Sequence, residues 1–371
     1  MRSPRTVFSL PTDADAHEPP EARGLARDEV RLLVAGSSGL TSTRFARLPD
    51  FLAPGDLVVV NISATLPAAV DGHRPDDTPV VVHFSAPSGA APSGAGPSGA
   101  APSGAGPSGA APSGARSSWV VEMRVTDGSG PVLDGAVGER ISVPGGACLT
   151  LRAPADQRES GVRLWHADVA LEGQVVPWLN RHGRPITYGY LHGRWPLTDY
   201  QPVFAREPGS AEMASAGRPF TDRMVTDLIT RGIGVAPVLL HTGVSSQEFG
   251  EGPQTERFRV PGATARLVNS ARSAGGRVVA VGTTVTRALE SAADDTGHVT
   301  AAEGWTDLVI GPDHPTRVVN GLITGWHTPD ASHLLLLEAV AGPDLVQAAY
   351  REAVAEHYRW HEFGDSCLLL P

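Results

Sequence analysis

Several short segments of this 371-residue chain carry side chains able to do chemistry. Gly282-Thr283-Thr284 follows the apolar run Arg277-Val278-Val279-Ala280-Val281 and opens a helical pattern with Arg287 one turn further on. Free N–H groups and the dipole at a helix N-terminus favour anions, and an arginine beside them can pair with a carboxylate in bidentate fashion. The same residues equally describe a capped helix with a surface Arg287–Glu290 pair. His241, in L-H-T-G, and His327, in G-W-H-T-P, each follow an apolar strand pattern. Imidazole titrates near neutrality, so both are acid–base candidates; each can also be a structural histidine held by a backbone carbonyl. Asp365, in F-G-D-S, is either a cleft carboxylate or a turn residue. His357 and His361 stand four residues apart near an expected helix end. With no H-E-x-x-H order and no third ligand, they suit the helix dipole better than a metal.

The elements that must position these groups fall into two textures. Strand-like runs at 30–34 and 57–60 are followed, from about Pro67 to Ala170, by an all-β pattern of short apolar pieces with Gly, Pro and Asp turns. That pattern reads as a small barrel or sandwich. After Phe220 helix and strand alternate. Thr221 caps a helix with Met224, Val225, Leu228 and Ile229 on one face, and strands are expected at 235–240, 277–281, 305–310, 318–323 and 366–370. The expected fold is α/β: a main domain from residues 1–66 and 176–371, with a β-barrel inserted at 67–175. Residues 86–115 are six copies of the pentad A/G-P-S-G-A, which has no large apolar residue and is expected to be a flexible linker in a hairpin loop.

Composition excludes several classes. All 30 basic residues are arginine, so a Walker A lysine and every lysine Schiff-base mechanism are absent. A net charge of −10 argues against a broad nucleic-acid-binding surface. It leaves room for a local patch between Arg181 and Arg223, where arginines are interleaved with His182, Tyr188, Tyr190, His192 and Trp195. Cys148 and Cys367 are the only cysteines, and no zinc spacing surrounds them. The N-terminus lacks a signal-peptide core and no apolar run reaches the ~20 residues of a membrane span. The chain reads as soluble and cytoplasmic, with no membrane partner and no metal; its oligomeric state is not legible.

Nine runs in order carry a resemblance. They include R-D-E-V-R-L-L-V (27–34), L-P-D-F-L-A-P-G-D-L-V-V-V-N (48–61), Y-Q-P-V-F-A-R-E-P-G-S (200–210), A-G-R-P-F-T (216–221) and L-H-T-G (240–243). V-V-A-V-G-T-T-V-T-R-A-L-E-S (278–291), G-W-T-D-L-V-I (304–310), V-V-N-G-L-I-T-G-W-H-T-P (318–329) and Y-R-W-H-E-F-G-D-S-C-L-L (358–369) complete them. The chain thereby resembles the S-adenosylmethionine:tRNA ribosyltransferase-isomerase family of queuosine biosynthesis. The resemblance implies S-adenosylmethionine as a ribosyl donor and a 7-aminomethyl-7-deazaguanine in tRNA as acceptor, with adenine and methionine leaving. It implies a donor site at Gly282, Thr283, Thr284, Arg287 and Glu290, with the aromatic faces of Trp305 or Trp326 for adenine or the sulfonium. His241, His327 and Asp365 become the catalytic candidates. Tyr200, Arg206, Glu207, Gly209 and Gly217 become the substrate-binding set, with Glu207-Pro208-Gly209 expected in a charged turn.

The chain also departs from the family pattern. N-D-T-R-[VI]-[IL]-P-A-R is Asn61-Ile62-Ser63-Ala64-Thr65-Leu66-Pro67-Ala68-Ala69, without the acid and both arginines. P-T-A-G-L-H-F-T has lost its histidine at Ala214–Thr221, and M-H-x-E has become Gln254-Thr255-Glu256-Arg257, which keeps Glu256. Three functions therefore stand at this point: the family reaction on tRNA, use or cleavage of S-adenosylmethionine with a small-molecule acceptor, and non-catalytic nucleoside or RNA binding.

Overall fold

The computed structural model describes residues 3–88, 117–128, 130–156, 161–244, 254–329 and 331–371. The remainder of the pentad tract lies outside the described residues. The chain divides into two compact units, Met1–Thr65 with Thr187–Pro371, and Leu66–Ile186.

The first unit begins with β1 (Arg31–Gly36) and β2 (Gly39–Arg44), then β3 (Leu57–Asn61) and the short β4 (Ser63–Thr65). The second unit follows: β5 (Ala69–His73), β6 (Pro79–Pro87), β7 (Ser117–Arg124), β8 (Arg140–Val143), β9 (Ala147–Pro154), β10 (Leu164–Ala170) and helix α1 (Val175–His182). Its strands close into a barrel in the order β10-β7-β6-β5-β8-β9. β6 runs through Ala86 and Pro87, which pair with Val120 and Trp119, so the first pentad starts inside a strand. The unit extends past the expected end at 175 because Ala69 and Arg184 exchange backbone hydrogen bonds of 2.9 Å. Within the barrel Glu122 is fully buried, with Arg163 at 3.1 Å, Arg124 at 3.2 Å and His83 at 3.3 Å.

The chain then completes the first unit. β11 (Glu207–Ser210), α2 (Asp222–Thr230), β12 (Gly234–Leu240), β13 (Glu256–Val260), α3 (Gly262–Ser273), β14 (Val278–Val281) and α4 (Thr283–Ser291) come first. β15 (Ala302–Thr306), β16 (Gly321–Thr324), α5 (His333–Ala341), α6 (Pro343–Ala355) and β17 (Ser366–Leu370) close the chain. Nine strands form one sheet in the order β15-β13-β12-β3-β14-β16-β17-β1-β2, and β12, β3, β14 and β16 run parallel.

The apolar runs of β3 and β14 are buried throughout because the sheet is covered on both faces. Strand alternation sends Leu57, Val59, Val278 and Ala280 into one core with α3, α4, α5 and α6. Val58, Val60, Val279 and Val281 enter the other, with α2 and the turn Phe45–Phe51. Thr221 caps α2 as expected, its hydroxyl accepting from the Met224 N–H at 3.2 Å.

Three segments differ from expectation. The strand expected at 305–310 ends at Thr306, since the carbonyls of Thr306 and Leu308 accept from Arg287 instead of a ladder. The strand expected at 318–323 starts only at Gly321, because the Glu290 carboxylate takes the N–H groups of Arg317, Val318 and Val319. Glu207–Ser210 is not a turn: it is β11, paired parallel to β4. Cys148 and Cys367 are free thiols, and no described helix is long and apolar enough to cross a membrane.

Candidate active site

Parallel pairing brings the carboxyl ends of β12, β3, β14 and β16 to one edge of the sheet, where open α/β sheets carry their ligands. A cavity of about 580 Å³ opens there, within the usual range for small-molecule sites. Three of the four hand their next residues to the lining: Thr242 and Gly243 after β12, Gly282 and Thr283 after β14, Gly325 to His327 after β16. The antiparallel neighbours contribute their starts for the same reason. Glu256 opens β13, and His361 and Glu362 lie just ahead of β17.

The N-terminus of α4 is built to be open. Gly282 has φ +90°, a conformation that favours glycine, and offers no side chain to cap the helix. The N-cap residue therefore takes none of the first N–H groups through a side chain. Asn61 at the end of β3 holds this corner in register. Its amide donates to the Leu240 carbonyl at 2.8 Å and to Thr284 Oγ1 at 3.3 Å, and its oxygen accepts from the Leu240 and Ser63 N–H groups.

Arg287 also lines the cavity, but three of its N–H donors are engaged: by Glu256, by Leu308 O at 3.1 Å and by Thr306 O at 3.4 Å. Glu256 additionally accepts the Gly243 N–H at 3.2 Å. Burial pushes the Glu256 carboxyl up, against the pull of Arg287 and that N–H.

His327 stacks on His333 with ring centres 4.6 Å apart and planes 3° from parallel. Thr324 Oγ1 donates to the Gly325 carbonyl, so at 3.1 Å it accepts from His327 Nε2–H and leaves Nδ1 as the basic nitrogen. Burial holds His327 well below the ordinary imidazole range, with His333 and His361 adding to it; burial also lowers His333, to about 4. Both are neutral at physiological pH. Trp326 lines the cavity from an aromatic cluster with Tyr350, Tyr358 and Trp360.

A further stretch of lining joins Tyr188, Tyr190, Glu212, His361 and Glu362. Tyr188 donates to Glu212 and Tyr190 to Glu362. The Tyr190 ring stacks on His361 at 4.2 Å. Burial, reinforced by Glu212 and Asp15, raises Glu362 to about 7 against the Tyr190 hydrogen bond.

Of the residues singled out in sequence, Gly282, Thr283, Thr284, Arg287, Trp326 and His327 meet around this cavity. The others do not. His241 packs on Gly209, where a Cβ would overlap its ring, and its Nδ1 lies 2.7 Å from Ser63 Oγ; burial lowers it to about 4. Asp365 accepts the N–H groups of Arg31 and Arg359 and fastens β1 to the segment before β17. Glu290 is spent on the backbone of 317–319, not on a surface pair with Arg287. Tyr200 is buried against Phe363, Arg206 is exposed, Glu207 pairs with Arg259, and Gly217 packs on Pro202 and Phe204. Trp305 sits within β15. The His357/His361 pair is not helical, since α6 ends at Ala355 and both residues have left-handed φ, 54° and 68°. Among the described residues no group of three His, Cys, Asp or Glu is arranged to hold a metal ion.

Sequence reasoning missed His333, His361 and Glu362 as lining residues, because each faces the cavity through a turn or helix start that carries no periodic signal. Tyr188, Tyr190 and Glu212 were visible only as part of an arginine-rich stretch.

Comparison with known proteins agrees with this architecture. The family model described as "Queuosine biosynthesis protein" matches residues 5–369. The S-adenosylmethionine:tRNA ribosyltransferase-isomerase of Symbiobacterium thermophilum is 33% identical over 380 aligned positions, covering 100% of both chains. That of Moorella thermoacetica is 33% identical over 386, with the same coverage. The crystal structure of S-adenosylmethionine tRNA ribosyltransferase from Thermotoga maritima superposes with a TM-score of 0.50 at 25% identity, covering 98% of this chain and 99% of that one. A family model matched along nearly the whole chain, with relatives 33% identical over their full length, leaves one conclusion: the chain belongs to the queuosine biosynthesis protein family.

Proposed function

We propose that this protein is an S-adenosylmethionine:tRNA ribosyltransferase-isomerase. It takes the ribosyl moiety of S-adenosylmethionine and joins it to the aminomethyl arm of a 7-deazaguanine in tRNA. The full-length relatives support the activity. The observation that carries the donor's placement is the uncapped N-terminus of α4 at the cavity edge.

The methionine carboxylate sits on the N–H groups of Thr283 and Thr284, where the helix dipole favours negative charge. Arg287 contributes positive potential from one turn further on, steadied by Glu256. Trp326 offers an aromatic face to the sulfonium or adenine. His327, neutral and with Nδ1 basic, is the group suited to take the proton beside the sulfonium, since a neutral imidazole pays no desolvation cost before reaction. The acceptor's nucleobase enters the same cavity, while tRNA phosphates find the exposed Arg194, Arg206 and Arg223.

The test is to incubate the protein with S-adenosylmethionine, with and without tRNA bearing the aminomethyl-deazaguanine, and to follow adenine release together with nucleoside mass spectrometry. Release coupled to tRNA modification is expected. Release that ignores tRNA would transfer the reading to a small-molecule acceptor, and absence of release would reduce the protein to a binding module.

A further inference from the structure

The donor reading leaves the Tyr188, Tyr190, Glu212, His361 and Glu362 stretch of the lining without a task. Among the described residues Glu362 has the Tyr190 hydroxyl, and no cation, beside its carboxylate. The chain has no lysine, and the arginine among the described lining residues, Arg287, is engaged by Glu256. Glu362 thus faces the cavity with a tyrosine hydroxyl as partner and calls for a cation from outside.

Beside them stands a histidine held on every side. His361 Nε2 lies 3.1 Å from Asp15 Oδ1. Asp15 is fixed by backbone pairing of its segment to Trp360: Ala16 N–H donates to Trp360 O at 3.1 Å, and Trp360 N–H to Ala14 O at 2.9 Å. Arg359 adds a 2.7 Å bond to the Asp13 carbonyl. The carboxylate charge 3.1 Å from Nε2 favours the ring proton on that nitrogen and leaves Nδ1 as the basic one. Tyr190 stacks on the ring with planes 13° apart, and the φ of +68° at His361 is a conformation non-glycine residues seldom adopt and that clusters at functional sites.

We propose that this stretch is the subsite for the acceptor's primary amine: Glu362 meets the ammonium, and His361, positioned by Asp15, takes its proton. The proposal rests on the reading of the protein as a transferase to an amine. In the step, one N–H bond of the ammonium breaks and its proton passes to His361 Nδ1. The nitrogen keeps the electron pair and becomes a neutral nucleophile, and the imidazolium formed is balanced by Asp15. Glu362 and Glu212 add negative potential around it, the Tyr190 face covers it, and His327 is the other titratable ring that senses it. A cation would also lower the cost of ionising Glu362, which burial otherwise holds near neutrality.

The test uses the full chain with S-adenosylmethionine and tRNA carrying the aminomethyl-deazaguanine. His361→Ala and the conservative His361→Gln should lower the transfer rate by about 100-fold, with donor affinity unchanged in calorimetry and partial rescue of the alanine variant by imidazole. Asp15→Asn should move the acid limb of the pH–rate profile to lower pH, because loss of the carboxylate destabilises the imidazolium. Glu362→Gln should raise KM for the acceptor and leave S-adenosylmethionine binding intact. Wild-type rates and limbs in the His361 and Asp15 variants would overturn the proposal. So would weakened donor binding in Glu362→Gln, which would give the subsite to the ammonium of the donor's methionine. If wild type modifies no tRNA, the transferase reading fails on its own. Free 7-aminomethyl-7-deazaguanine then serves as probe by calorimetry: binding weakened by Glu362→Gln, with a His361 ring titration lowered by Asp15→Asn in 15N NMR, supports the subsite, and insensitivity of both overturns it.

Discussion

Glu256 and Arg287 form a buried ion pair that joins the first residue of β13 to the second turn of α4. The guanidinium goes on to the carbonyls of Thr306 and Leu308, so one arginine secures β13, α4 and the loop after β15 around the same cavity. Its charge is held in place before any donor arrives.

Removing one partner of such a pair strands the other. Glu256→Gln and Arg287→Ala should each cost about 3 kcal/mol in chemical denaturation. The double replacement Glu256→Gln with Arg287→Gln should recover part of that loss, yet still bind S-adenosylmethionine more weakly by calorimetry. Donor affinity equal to wild type in the double variant would remove Arg287 from the donor site.

Gly282→Ala addresses the helix start. At φ +90° an alanine is strained by about 1–3 kcal/mol, and its Cβ would press on Ala216 at 3.4 Å. The first turn of α4 should shift, lowering stability and weakening S-adenosylmethionine binding together. Calorimetry and denaturant titration check both, and unchanged affinity would count against an anion seat at Thr283 and Thr284.

In the barrel, Glu122 is a buried carboxylate whose desolvation is outweighed by His83, Arg163 and Arg124, so its folded pKa is lowered. The stability it contributes is present above its unfolded pKa of about 4.3 and is lost as pH falls through the lower folded value. Glu122→Gln should destabilise at neutral pH by about 3 kcal/mol. The gap to wild type should close only in strong acid, as thermal melts across pH can read.

Glu362 works in the opposite sense. Its folded pKa of about 7 exceeds the unfolded value, so relative stability is fully present below about pH 4.3 and falls as pH rises toward 7. Glu362→Gln removes that dependence. Its melting temperature should therefore gain on wild type between pH 5 and pH 8, and a constant difference would show that Glu362 does not titrate there.

Much of the scaffold was legible because it is local. The Val-rich β3 and β14, the Thr221 cap and the glycine that starts α4 follow from neighbours in sequence and from strand or helix period. Strand ends were misjudged where a distant side chain took the backbone: Glu290 and Arg287 claimed groups that a ladder would otherwise have used. His241, in the L-H-T-G run, was legible as a loop histidine, but the packing of Gly209 and Ser63 turns it from the cavity.

The sequence by itself determined the family, the α/β sheet with its inserted barrel, the absence of lysine chemistry and the glycine that leads α4. Those are properties of short-range pattern and of which atoms the chain possesses. Only tertiary structure decided which titratable groups share a cavity. His361 meets Asp15 from the opposite end of the chain, and Glu362 reaches Tyr190, because β17 enters antiparallel to β16 and starts where that strand ends. The strength of each charge follows from burial, which no spacing of residues encodes.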